Sequence, residues 1–316
     1  MIKDKSKVAI IGAGNVGSSI AFALALNQQV NELVLIDINK DKAKGEALDI
    51  NHGLSFVGQM SLYQGDYRDC KDCDVIILAS GISRKPGETR LDLAKKNTIM
   101  AKDVIKNVMK YYNTGVILAV SNPVDILTYI IQVYSGLPYG RVLGSGTVLD
   151  SSRFRYLLSR KLDVDIRNVH GYIIGEHGDT QLPVWSATHI AGQKIDEFCS
   201  NPESGFTEED KTKIAEEVKN AGAEIIKYKG ATHYAIAIAV SNIVDTLLKD
   251  QNTIRTVSSV INGLYGISDV AISLPSIINS KGIERVLELK LTKEEEDALR
   301  YSAEKVKAVL NEVKDL

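Results

Sequence analysis

Val8-Ala9-Ile10-Ile11-Gly12-Ala13-Gly14-Asn15-Val16-Gly17 decides the fold. A short β-branched run enters a glycine turn, and residues 16–27 continue with helical spacing. In such a turn Gly12 permits the tight bend, Gly14 lets backbone approach a pyrophosphate, and Gly17 lets helix pack on strand. The helix N-terminus adds unpaired N–H groups and a partial positive charge. Asp37 then closes the next apolar run. A carboxylate there accepts both ribose hydroxyls of NAD and repels the extra phosphate of NADP, so NAD is the expected cofactor.

Outward from the loop, apolar runs recur at 33–36, 75–79 and 116–120, each short and rich in Val and Ile. Helix-like stretches at 42–51, 91–112 and 124–134 separate them. This order predicts an α/β fold with a doubly wound parallel sheet. The second half predicts a helix over 149–161, an apolar strand over 169–174, and a charged, glycine-containing stretch over 175–179. Helices over 208–229 and 232–248, antiparallel strands over 253–263 and 270–274, and a closing amphipathic helix over 292–313 follow. The reading places a domain boundary near Gly146, with 1–146 binding cofactor and 147–316 forming an α+β catalytic domain. Residues 200–205 read as an exposed loop.

Composition narrows the class of function. The 316 residues carry 38 Lys and Arg against 40 Asp and Glu, a net charge of −2. Nothing in that balance draws the chain to nucleic acid or to an anionic membrane. The apolar fraction of 44% is that of a globular chain with a core. The N-terminus shows no secretory signal pattern, and no apolar stretch approaches a membrane span. Three cysteines, Cys70, Cys73 and Cys199, fit a reducing compartment, and a cytoplasmic location is expected.

Polar clusters sit where strands end, the usual ligand position in such sheets. They are Arg84-Lys85-Pro86-Gly87-Glu88-Thr89-Arg90, Ser121-Asn122-Pro123, Asp150-Ser151-Ser152-Arg153 and Gly175-Glu176-His177-Gly178-Asp179. The first reads as a mobile lid. Together they hold the parts for moving a hydride to a 2-keto acid. A protonated His can donate to the carbonyl oxygen, and a carboxylate can fix its tautomer. One Arg can grip a carboxylate bidentately, and a second can polarise the carbonyl. Residue type alone leaves open which residue takes which role.

These motifs, in this order, resemble the lactate/malate dehydrogenase family over essentially the whole chain. The resemblance implies a Rossmann cofactor domain, with His177 as proton donor and acceptor and Asp150 as its partner. It implies that Arg153 binds the substrate carboxylate, that Arg90 reaches the carbonyl from the lid, and that Asn122 contacts substrate and nicotinamide. Gly12, Gly14, Val16, Gly17, Asp37, Lys42, Tyr67, Gly81, Ile82, Ser121 and Thr147 would form the NAD site, and Thr232 would reach the substrate pocket. No metal is implied. A homodimer or homotetramer is.

The family divides by substrate at the position six residues before the lid arginine, with Gln in lactate enzymes and Arg in malate enzymes. Here it is Arg84. Beside the methyl of pyruvate this guanidinium would be buried without a partner. Beside oxaloacetate it would meet a second carboxylate. An unpaired charge of this kind costs ~2–5 kcal/mol, so Arg84 favours malate. The surrounding motifs resemble bacterial lactate enzymes instead, which leaves L-lactate as the alternative. Arg155 and His170 match positions where those enzymes bind fructose 1,6-bisphosphate across a subunit interface, so that effector is a further expectation.

Two motifs are set aside. Cys70-x-x-Cys73 lacks a second pair for a zinc site. Tyr301 and Lys305 match the Tyr-x-x-x-Lys of short-chain dehydrogenases, but they lie in the final helix, far from the glycine loop. An NAD-binding sensor without turnover would not need the His177, Asp150 and Arg153 set.

Overall fold

The computed structural model describes residues 6–82, 87–200 and 204–316. Strand β1 (Lys7–Ile11) leads through the glycine turn into α1 (Asn15–Leu26), and β2 (Glu32–Ile36) leads into α2 (Lys40–Gly53). Next come β3 (Ser61–Gln64), β4 (Val75–Leu78), α3 (Arg90–Val108), β5 (Val116–Ala119), α4 (Val124–Ser135) and β6 (Val142–Gly144). These six strands are parallel in the order 3-2-1-4-5-6. The chain reverses direction across the sheet between β1 and β4, and the crevice at their C-terminal ends is the usual ligand position.

The strands are apolar on both faces because helices cover both. Val8 and Ile10 pack with Ile20 and Leu24 of α1, while Ala9 and Ile11 pack with Val104 and Ile105 of α3. That alternation is the two-residue period of a strand.

The second half begins with α5 (Val148–Leu162) and passes through β7 (Val169–His170), β8 (Ile173–Ile174), β9 (Leu182–Pro183), β10 (His189–Ile190) and β11 (Gln193–Lys194). It continues with α6 (Ile195–Phe198), α7 (Glu208–Lys229), α8 (Tyr234–Leu248), β12 (Thr253–Asn262), β13 (Ser268–Asn279), β14 (Gly282–Val286) and α9 (Lys293–Val313). Strands β12 to β14 are antiparallel and extend the first sheet beyond β6, where Ser258 pairs with Gly144, to nine strands. A parallel cofactor sheet is thus followed by helices and antiparallel strands, as the pattern predicts. Among the described residues no helix is long and apolar enough to cross a membrane.

Several expectations need correction. The run 169–174 is not one strand. It breaks into β7 and β8, which belong to different sheets. Gly171 lies at the break, where an added Cβ would come within 2.7 Å of the Phe154 ring. The helix expected over 91–112 ends at Val108. The strand expected over 270–274 runs on through Pro275 to Asn279. Strands β3, β6 and β14 carried no signal of their own, being short, and only Leu62 of β3 is buried. The loop expected at 200–205 falls partly outside the described residues.

Candidate active site

The glycine turn has the geometry that its sequence demands. Gly12 has φ +105°, and a Cβ there would lie 2.5 Å from Ser80 N. A Cβ on Gly17 would lie 1.8 Å from the Gly12 carbonyl oxygen, so α1 packs on the turn only because this residue has none. Gly14 faces open space and caps α1 without a side-chain hydrogen bond. The first N–H groups of α1 therefore point into room that a phosphate would fill, and the site fits a dinucleotide. Asp37, at the end of β2, accepts from Ala13 N at 2.7 Å through one carboxylate oxygen and from Asn39 N at 2.8 Å through the other. Val16 and Tyr67 are half-buried, while Lys42, Gly81 and Ile82 are exposed.

Ser121 follows β5 and donates its hydroxyl to Ser80 O at 2.6 Å, which ties the ends of β4 and β5 together. Asn97 of α3 had no signal in the sequence. It accepts from Ile82 N at 2.9 Å and donates to Asn122 O at 2.6 Å, so it fixes the two loops that flank the crevice. Thr147 is fully buried, and its hydroxyl is donated to Ile173 O at 2.5 Å.

Beyond the crevice lies a cavity of about 370 Å³, lined in part by Arg90, Asn122, Asp125, Glu176, His177, Ile226 and Val306. His177 sits on the loop after β8. Its Nδ1 lies 2.5 Å from Asp150 Oδ2, and Asp150 Oδ1 accepts from Arg153 Nη1 at 2.9 Å. Asp150 and Arg153 stand one helical turn apart on α5, so one carboxylate joins both cations. The Asp150 side chain is 2% exposed and that of His177 is 25% exposed. Burial alone would push the His177 pKa down, but the Asp150 carboxylate outweighs it and carries the imidazole up to about 9. Burial works against Asp150 in the same way. There the cations His177 and Arg153 prevail and hold its pKa below the usual range. At neutral pH the pair is imidazolium and carboxylate, with a proton ready for the cavity.

Asp125 is a second carboxylate at this centre, and sequence reasoning missed it. It lies in the first turn of α4, 3% exposed. Oδ2 accepts from His177 N at 2.7 Å, and Oδ1 accepts from the Ser258 hydroxyl at 2.6 Å. Its partners lie far away in sequence, which is why no local spacing revealed it.

Arg90 opens α3, behind a capping box made by Thr89 and Asp92. Both Nη atoms meet the Asp179 carboxylate, each at 2.7 Å. Both side chains are more than half exposed, so the pair is worth at most ~1 kcal/mol and breaks readily. Arg84 lies outside the described residues. Thr232 is half-buried in the link between α7 and α8, just past the helix whose Ile226 lines the cavity.

The expected effector residues stand apart from this cavity. Arg155 donates Nε to Ser151 O at 3.2 Å and has no carboxylate partner among the described residues. Burial holds its pKa below the usual arginine value, with Tyr172 pulling the other way. His170 is exposed on β7, paired in register with His189. Cys70 and Cys73 are buried free thiols. Tyr301 is exposed on α9 with Lys305 4.9 Å over its ring, and so forms a helix surface.

Comparison with known proteins places this geometry. Residues 6–144 match the family described as lactate/malate dehydrogenase, NAD binding domain. Residues 147–316 match its alpha/beta C-terminal domain. The chain is 52% identical over 308 residues to an L-lactate dehydrogenase of Thermoanaerobacter sp. (strain X514), covering 98% of this chain and 99% of that one. It is 49% identical to the L-lactate dehydrogenase of Acetivibrio thermocellus, covering 96% of each. A solved L-lactate dehydrogenase from Clostridium thermocellum superposes with a TM-score of 0.88 at 66% identity, covering 98% of this chain and all of that one. The ligand-bound minor L-lactate dehydrogenase of Enterococcus mundtii superposes with a TM-score of 0.95 at 43% identity, covering 98% and 99%. These relatives carry the lactate name. The malate preference expected from Arg84 finds no support among them.

Proposed function

The chain belongs to the lactate/malate dehydrogenase family, and on that premise we propose that it interconverts pyruvate and L-lactate. It is an NAD-dependent dehydrogenase, and the cofactor when bound supplies or accepts the hydride. Residues 1–146 hold the cofactor, and 147–316 supply the acid–base and carboxylate-binding groups. The observation that carries the reading is the buried chain of contacts from His177 through Asp150 to Arg153.

In the proposed mechanism Arg153 grips the substrate carboxylate with the edge of its guanidinium that Asp150 does not use. Arg90 leaves Asp179 and polarises the carbonyl as the lid closes. His177 gives its proton to the carbonyl oxygen, and Asp150 stabilises the imidazolium before that transfer. Asn122 is held at the cavity wall by Asn97 to contact the substrate.

Lactate is supported by the names of the relatives. One specific residue, Arg84, favours the malate reading. The two separate in a comparison of NADH oxidation with pyruvate and with oxaloacetate. Pyruvate is expected to be the better substrate, and Arg84→Gln to lower the oxaloacetate rate about tenfold, or 1.4 kcal/mol. Oxaloacetate preferred by the wild type would move the assignment to malate.

We further propose a homo-oligomer, a dimer or tetramer, activated by fructose 1,6-bisphosphate at Arg155 and His170. Two features support the effector site: Arg155 has no carboxylate partner among the described residues, and the cation Arg255 is near enough to feel its charge. The effector should lower the KM for pyruvate in the wild type and leave Arg155→Gln unchanged. An effect of equal size in the variant would locate the effector elsewhere.

A further inference from the structure

We propose that Asp125 is a positioning residue for His177, a second buried carboxylate that fixes the height of the imidazole and adds its charge to the field that holds the proton there. The proposal rests on the reading of His177 as proton donor. Two helix N-termini converge on this histidine. Asp150 of α5 takes its ring Nδ1, and Asp125 of α4 takes its backbone N–H at 2.7 Å. The two contacts fix the residue at both ends, ring and main chain, so the imidazole cannot slide along the cavity without breaking one of them.

A tie between a loop and a helix needs only a neutral acceptor. An amide oxygen would do it, without the cost of desolvating a carboxylate. Asp125 instead buries a charge, 3% exposed, and surrounds it with features that favour the anion. The Ser258 hydroxyl and the His177 N–H donate to it, and it stands in the first turn of α4, where the helix dipole favours negative charge. The charged groups around the histidine come from α3, α4, α5 and its own loop, while α7 and α9 bring apolar side chains to the cavity. Asp150 and Arg153 come from α5 and Asp125 from α4. Glu176 and Asp179 come from the histidine's own loop, and Asp179 pairs with Arg90 of α3. Asp150 and Asp125 both favour the imidazolium, whereas Arg153 opposes it. Burial raises the Asp125 pKa to about 6 against the pull of Ser258 and His177, so the carboxylate is charged at neutral pH and loses its charge in mild acid.

The test is Asp125→Asn, which keeps an acceptor for the His177 N–H, removes the charge, and turns the second oxygen into an amide N–H that the Ser258 hydroxyl can accept. The readout is the NMR titration of the His177 ring in the full chain, assigned by its loss in His177→Asn. The midpoint is expected to fall by about one pH unit, the lower end of the effect of a neighbouring opposite charge. The pH limb for lactate oxidation, which needs neutral His177, should move down with it, while NADH affinity stays unchanged. A folded Asp125→Asn with the wild-type midpoint would overturn the proposal. If that variant fails to bind NADH, Ser258→Ala decides. It removes one bond to the anion, so the inflection near pH 6 in the His177 signal, where Asp125 takes up its proton, should move upward. An unmoved inflection overturns the proposal too. The functional reading fails separately, if the wild type reduces no 2-keto acid or if His177→Asn is fully active.

Discussion

His177→Asn is expected to lower pyruvate turnover by about 10²–10⁴-fold while leaving NADH affinity unchanged. Asn can replace the ring at Asp150 Oδ2 by donating an amide N–H, so the buried carboxylate keeps a partner and the loop its shape. What it cannot replace is an acid whose pKa lies above neutrality. The wild-type imidazole reaches about 9 because Asp150 outweighs burial, so it is protonated through the physiological range. The loss should therefore fall on kcat, and kcat/KM should fall equally, the pattern of an interaction made in the transition state. Fluorescence titration with NADH checks the second half of the prediction, since none of the residues proposed for the NAD site lies on this loop.

Arg153→Leu is expected to act on the other parameter. Its guanidinium is 15% exposed and spends one Nη on Asp150, leaving the remaining edge to a substrate carboxylate. Losing one partner of a buried charge pair costs ~2–5 kcal/mol, which is ~30- to 4,000-fold in kcat/KM. Most of it should appear as a raised KM for pyruvate, because the carboxylate contact is made in ground state and transition state alike. A secondary effect follows from sign. Arg153 lowers the His177 pKa, so its removal should raise that pKa and move the basic limb of pyruvate reduction to higher pH. An unchanged KM would remove Arg153 from the substrate site.

The sequence made the cofactor half of this site legible because steric demands there are local. Gly12 is required by its own positive φ, Gly17 by a contact within one turn, and Asp37 follows at the end of the adjacent strand. The triad of His177, Asp150 and Arg153 was legible through its resemblance to a family, since nothing in spacing alone joins a residue on α5 to one on the loop after β8. Asp125 and Asn97 were illegible for a physical reason. Each acts on backbone groups, His177 N in one case and Ile82 N and Asn122 O in the other, and a backbone donor or acceptor leaves no mark in sequence.

The misread elements have similar causes. A continuous apolar run such as 169–174 looks like one buried strand. Here it turns at Gly171, where the close approach of Phe154 leaves no room for a side chain. The extension of the cofactor sheet by β12 to β14 depends on a single register contact between Ser258 and Gly144, which no periodicity can announce. Arg84 illustrates the opposite problem. One residue favours malate, with lactate as the alternative, while relatives aligned over 96% of the chain or more carry the lactate name.

The most direct test of the central claim is isotopic. The enzyme is incubated with pyruvate and NADH carrying deuterium at the transferred position of nicotinamide C4, and the product is read by NMR and chiral chromatography. The account predicts L-lactate with deuterium at C2, delivered without exchange with water. Product lacking deuterium, or D-lactate, would contradict it.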